Sequence, residues 1–188
     1  MVSVFYAPAG ATVFDEDLIL VDHFLRGDQG AFTRLYEKYY DKVNAIARGV
    51  LMDADEAADA VQEIFTLVYR HLPKFDRRSK FSTWLFRIAV NRSIQQSRGL
   101  KYRSRNVELT EAADRWVDDQ PDTDSDPRIG EAMARLQPTD RAILTLFYWE
   151  DLSLQEVADS LGCNVNAAKT RLFRARERFK EFFEESQR

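Results

Sequence analysis

Residues 53–72 read DADEAADAVQEIFTLVYRHL. Asp53 followed three residues later by Glu56 is a capping-box pattern, which opens a helix. At 100° per residue, Ala57, Val61, Ile64, Phe65 and Val68 fall on one face. Asp55, Asp59, Gln62 and Glu63 fall on the opposite face, the signature of an amphipathic helix with one side in a core. Pro73 stops it. Working upstream, Ala31, Phe32, Leu35, Tyr39, Val43 and Ile46 predict a second long helix, and a shorter one lies near Asp17–Leu25. Downstream, a basic loop Lys74–Lys80 (KFDRRSK) leads into a helix over 81–97. Further helices are predicted at 127–136, 138–150, 153–161 and 165–185. The fold class is all-α.

Composition agrees and closes off other classes. Seven Gly and five Pro in 188 residues suit long helices better than a turn-rich β fold. A single cysteine, Cys163, rules out an intramolecular disulfide and a multi-cysteine zinc site. His23 and His71 lie far apart without ligand spacing, so neither a metal site nor a cofactor is expected. Residues 1–14 are apolar but carry no basic residue, and Pro8 and Gly10 interrupt them. They read as a short arm of a cytoplasmic protein with no membrane insertion.

The net charge of −4 hides a strong segregation. Residues 70–105 hold 11 basic side chains and 1 acidic, and residues 164–180 hold 6 basic and 1 acidic. Between them, residues 106–127 hold 8 acidic and 1 basic. Basic blocks of this kind point first to nucleic acid. The acidic stretch ends in Asp, Ser, Thr and Pro with little apolar periodicity, which reads as a flexible linker over 104–127. It separates a helical domain at 15–103 from another at 128–188.

In the second domain, Ser153 and Glu156 form another capping box, and Gly162 is placed for the left-handed turn between two helices. The following helix puts Val165, Ala168, Leu172, Ala175 and Phe179 on an inner seam. Asn166, Ala167, Thr170, Phe173 and Arg174 face outward, with Lys169 and Arg171 on the flanks. This is a helix-turn-helix pattern whose second helix suits a major groove: amide, hydroxyl and guanidinium for base edges, cations for phosphates. In the first domain, Trp84, Arg87, Asn91, Ile94 and Arg98 share one side of their helix, beside Phe75 and Ser79 of the basic loop. Aromatics interleaved with arginines and an amide suit unpaired bases. The face Asp55/Asp59/Glu63 stays open between solvated surface, carboxylate site and dock for a basic protein.

Three strings together, DADEAADAVQEIFTLVYRHLPKFD, FSTWLFRIAVNRSI and LSLQEVADSLGCNVNAAKTRLFRARERF, resemble bacterial RNA polymerase sigma factors of the extracytoplasmic-function group. The resemblance implies sigma regions 2 and 4 joined by a linker, with the acidic linker lying in the polymerase RNA exit path. It implies that Asp55, Asp59, Gln62 and Glu63 bind the β′ clamp helices of core polymerase. Phe75, Ser79, Lys80, Phe81, Trp84, Arg87 and Asn91 would hold the minus-ten element, with Asn91 at the base-capturing position. Asn166, Lys169, Thr170, Arg171, Phe173 and Arg174 would read the minus-thirty-five element. Promoter DNA, the β′ clamp helices and β flap of core polymerase, and an anti-sigma factor are the implied partners, with no catalytic residues. The sequence departs from the family at Leu85, where housekeeping members carry a second tryptophan, and at Ala167-Ala168, where a Gly-Thr pair is usual. The alternatives are a helix-turn-helix regulator that binds duplex DNA without polymerase, and an enzyme using the acidic helix.

Overall fold

The computed structural model describes residues 15–106 and 126–185. The predicted arm at 1–14 and most of the predicted linker lie outside the described residues. Eight α-helices, and no strand, make up the described residues: α1 (Glu16–Leu25), α2 (Gln29–Leu51), α3 (Ala54–His71), α4 (Phe81–Asn106), α5 (Pro127–Arg135), α6 (Pro138–Leu144), α7 (Leu154–Leu161) and α8 (Val165–Glu185).

α1 to α4 pack around one core. Every apolar position of the α3 stripe (Ala57, Val61, Ile64, Phe65 and Val68) is buried. They meet Leu35, Val43 and Ile46 of α2 and Leu85, Ala89 and Val90 of α4, all in the same apolar cluster. Burying a Leu or Ile side chain in this way contributes about 1.5–3 kcal/mol. The start of α3 keeps only half of its expected capping box. Asp53 accepts from the Glu56 backbone N–H at 2.9 Å, but the Glu56 carboxylate turns to Gln96 of α4 at 2.5 Å. The cap thereby becomes a tie between two helices.

α4 runs to Asn106, longer than the predicted 81–97 and into the stretch assigned to the linker. The predicted helix over 138–150 is also divided. α6 ends at Leu144, and Thr145–Trp149 widen into one π turn in which Glu150 N–H donates to the Thr145 carbonyl at 3.1 Å.

α5 to α8 form the second domain, with α8 crossing α5, α6 and α7. The Ser153–Glu156 capping box is complete, and α7 ends on Gly162 at φ 63°. That left-handed backbone is strained for any residue with a Cβ. Asn164 caps α8 by accepting from Ala167 N–H at 2.8 Å.

Candidate nucleic-acid interface

The loop after α3 is fixed from both ends. Leu72–Lys74 form a 3-10 turn closed by Phe75 N–H to the Leu72 carbonyl, and Arg77, at φ 60°, pairs with Asp22 of α1. This holds Phe75 inward, where its ring sits 5.1 Å from Trp84 and 6.1 Å from Phe81. Phe75 and Phe81 are buried, at 7% and 1% exposure. With Tyr39, 5.5 Å from Phe81, they form the aromatic floor under a half-buried Trp84. Arg87, Asn91, Gln95 and Arg98 face outward from α4, each about one turn from the next, with Ser79 half-buried and Lys80 exposed on the approach.

The acidic side of α3 is exposed at Asp55, Asp59, Gln62 and Glu63. Glu63 pairs with Arg92 of α4, whereas Asp55 and Asp59 have no ion-pair partner among the described residues. Gln62, Thr66, Leu67, Arg70 and Gln95 line a groove beside that pair.

On α8 the inner seam of Ala168, Leu172 and Ala175 is buried, and Asn166, Lys169, Thr170, Arg171, Phe173 and Arg174 are exposed. Phe173 is 62% exposed, with no core role. The basic run is less available than its count suggests. Arg178 bonds Asp140 at 2.5 Å, and the Arg176 guanidinium lies over the rings of Phe147 and Tyr148 at 5.4 and 5.1 Å. Those two cations hold the domain together, leaving Lys169, Arg171 and Arg174 around Phe173 for an outside partner. Thr170 is also part-committed, donating its hydroxyl to the Asn166 carbonyl at 3.0 Å.

Two residues that the sequence marked only as helix ends also meet Lys80 and Arg87, a contact with no signal in the sequence. Glu156 of α7 pairs with Lys80 at 2.9 Å, and the Arg87 guanidinium lies against Gly162. The pair draws the Lys80 ammonium up, chiefly through its hydrogen bond to Glu156, and the same bond draws the Glu156 carboxyl down. Among the described residues no group of three or more His, Cys, Asp or Glu side chains could hold a metal ion, and no helix is long and apolar enough to cross a membrane.

A two-domain helical protein with a helix–turn–helix whose second helix exposes polar and basic residues, and a separate exposed amide–arginine surface, is built like a transcription initiation factor. Residues 35–103 match the family model described as Sigma-70 region 2, and residues 127–179 match that described as Sigma-70, region 4. The chain is 33% identical to the RNA polymerase sigma-H factor of Pseudomonas aeruginosa, covering 87% of this chain and 91% of that protein. It is 32% identical to the ECF RNA polymerase sigma factor SigW of Bacillus subtilis, covering 81% and 88%. It is 33% identical to the ECF RNA polymerase sigma-E factor of Escherichia coli K12, covering 86% and 91%. The chain belongs to the sigma-70 family, within its extracytoplasmic-function (ECF) group. The fold is shared with CnrH, solved with the cytosolic domain of CnrY, at a TM-score of 0.68 and 24% identity over 91% of this chain and 99% of that one. It is shared also with the sigma factor RpoE of Bartonella quintana, solved with the anti-sigma factor NepR, at a TM-score of 0.67 and 22% identity over 81% and 96%.

Proposed function

We propose a division of labour between the two domains of this sigma factor. As a member of its family the chain directs promoter-specific transcription initiation with core RNA polymerase. In our reading, α8 enters the major groove of the minus-thirty-five element, with Arg174 and Asn166 reading base edges, Phe173 meeting a thymine methyl, and Lys169 and Arg171 on phosphates. α4 holds the melted minus-ten strand. Arg87 and Arg98 meet phosphates, Trp84 offers a ring edge backed by Phe75 and Phe81, and Asn91 bonds the edge of one extruded base. Asp55, Asp59, Gln62 and Glu63 meet a basic surface of core polymerase, the β′ clamp helices, while the second domain meets the β flap. The protein then works in the cytoplasm, carries no catalytic step of its own, and has an anti-sigma factor as restraint.

The observation that carries this reading is the exposure of Asn91 and Arg87 above an aromatic floor, in a different domain from the groove-reading helix. A regulator that only bound duplex DNA would have no use for that second surface. Permanganate footprinting with Asn91→Ala is the test. Extruding a base costs a few kcal/mol, and an amide bonding its exposed edge offsets that cost. The variant should form fewer open complexes while keeping its hold on the upstream duplex, and a pre-melted template should partly rescue it. Normal opening by the variant would make Asn91 structural and remove the strand-holding role from α4.

A further inference from the structure

Two apolar features take no part in the contacts assigned above. Tyr148 and Trp149, neighbours at the end of the π turn, are 53% and 56% exposed. Residues 1–14, MVSVFYAPAGATVF, hold Val2, Val4, Phe5, Tyr6, Val13 and Phe14 and no charged side chain. Adjacent rings exposed to this degree form an apolar patch, and such patches mark binding surfaces.

The Tyr148–Trp149 ridge is held in place by its own surroundings. Thr145, at the start of the π turn, fits against Gly49 in the last turn of α2, where a Cβ would lie 2.9 Å from Thr145 Cγ2. Leu152 N–H donates to the Leu146 carbonyl at 3.1 Å, closing the chain behind Trp149. The Arg176 guanidinium lies over the rings of Phe147 and Tyr148, which meet edge-on with centroids 5.1 Å apart. A surface fixed in this way loses little freedom when it is covered. The ridge also stands close to where residues 1–14 end. They run into Asp15, the N-cap of α1, and the next residue, Glu16, pairs with Lys38 of α2 at 2.8 Å. One turn further along α2 is Lys42, whose charge reaches Glu150, the residue after Trp149. A second path leads to the same neighbourhood: the charge of Asp15 is felt at Lys80, which pairs with Glu156 in the first turn of α7. Fourteen extended residues reach about 46 Å, more than these few side-chain lengths require.

We propose that residues 1–14 dock on the Tyr148–Trp149 ridge as a strap, with Phe14 packed on Ile19 at the start of α1 and the apolar side chains of 2–6 over the two rings. Phe14 directly precedes the N-cap, and Ile19 is the fourth helical residue and 40% exposed. A hydrophobic pair at these two positions fixes the angle at which a chain enters its helix. A segment without charge gives up no charge hydration on docking. The Tyr148 hydroxyl and the Trp149 indole N–H keep water at the rim while their rings are covered. The exposed tyrosines of the first domain fit this segment less well. Tyr36 and Tyr40 stand two residues to either side of Lys38, hence across α2 from α1, and Tyr36 packs on both Tyr40 and Phe65. Tyr69 is bonded to Gln29 and packed between Phe24 and Phe32.

Hydrogen–deuterium exchange of the full chain reads the strap. Backbone amides of 2–14 should exchange roughly tenfold more slowly in the parent than in Tyr148→Ser/Trp149→Ser, two exposed positions whose change spares the core. In the reverse direction, Phe5→Ser/Tyr6→Ser should raise acrylamide quenching of Trp149, read as the single tryptophan of a Trp84→Phe/Trp116→Phe chain. Tyr36→Ser/Tyr40→Ser should leave both readings at the parent's level. Equal exchange of 2–14 in the parent and the ridge variant overturns the proposal. Protection lost in Tyr36→Ser/Tyr40→Ser instead also overturns it, since the segment would then sit on α2. Protection that grows with protein concentration does the same, by placing the segment on a second copy of the chain.

Discussion

Two side chains show how much of this molecule is decided at single residues. Arg141 is a buried cation whose acceptors are all backbone carbonyls, and burial pulls its guanidinium below the ordinary arginine range. Arg141→Ala leaves the Val50 and Leu136 carbonyls buried without a donor, and each such loss costs about 1–3 kcal/mol. The denaturant midpoint should fall accordingly, and Arg141→Lys, with one compact ammonium in place of a fork, should recover only part of it. Nothing in the sequence marked Arg141, because a helical arginine ordinarily faces water. Glu150, just beyond the π turn, is the second. Burial raises its carboxyl above the ordinary glutamate range, with Lys42 countering only in part. A raised folded value means that the folded chain holds this proton more tightly than the unfolded chain. The stability it contributes is therefore complete below the unfolded glutamate value and is lost as pH rises through the folded one. Glu150→Gln removes the loss, so its thermal midpoint should exceed the parent's at neutral pH. The gap should close as pH falls into the ordinary glutamate range, and a constant gap would show that charge is not the cause.

At the scale of elements, the helices that announced themselves did so through their ends. Ser153, Glu156 and Gly162 bracket α7, and the structure has both halves of the capping box and the left-handed glycine. Asp53 and Pro73 bracket α3 in the same way. Where such end signals are missing, the reading ran out. α4 continues to Asn106 without a stop signal, and the π turn at Thr145–Trp149 follows from how the second domain meets α2 rather than from any local residue pattern. The burial of Phe75 and Phe81 was equally unmarked, since an aromatic in a basic loop has the same spacing whether it is exposed or buried. On α8 the six cations look alike in sequence, but Arg176 and Arg178 are tied to their own domain. That difference is measurable. Arg174→Ala should cost about 1–3 kcal/mol of duplex binding and relax preference at one promoter position. Arg178→Ala should leave base preference alone and instead lower the stability of the second domain, because Asp140 is buried at 8% exposure and would lose its partner. Equal loss of promoter selectivity in both variants would sink this sorting.

At the scale of the whole molecule, charge segregation was legible and the way the domains meet was not. The basic and acidic blocks are properties of the chain, whereas the Gly49–Thr145 approach joins residues about a hundred positions apart, beyond the reach of any local period. What the acidic block on α3 does can be separated from what it holds together. Asp55 and Asp59 have no ion-pair partner among the described residues, stand exposed one turn apart, and carry no shared packing role. Glu63 differs, because its carboxylate is engaged by Arg92 across to α4. Reversing Asp55 and Asp59 to Lys should therefore leave the fold and its thermal midpoint within the small range of surface changes, about 0.5 kcal/mol. Like charge across an interface costs several kcal/mol, so the same double variant should lose core polymerase in a pull-down or sizing experiment. Raising the salt should not restore it, because screening weakens what attraction remains along with the repulsion. Glu63→Lys alone should also weaken the factor's own α3–α4 tie, which shows as a lower midpoint before any polymerase is added. Normal assembly by the Asp55→Lys/Asp59→Lys chain would reduce the acidic face to solvated surface and move the polymerase contact elsewhere on the first domain.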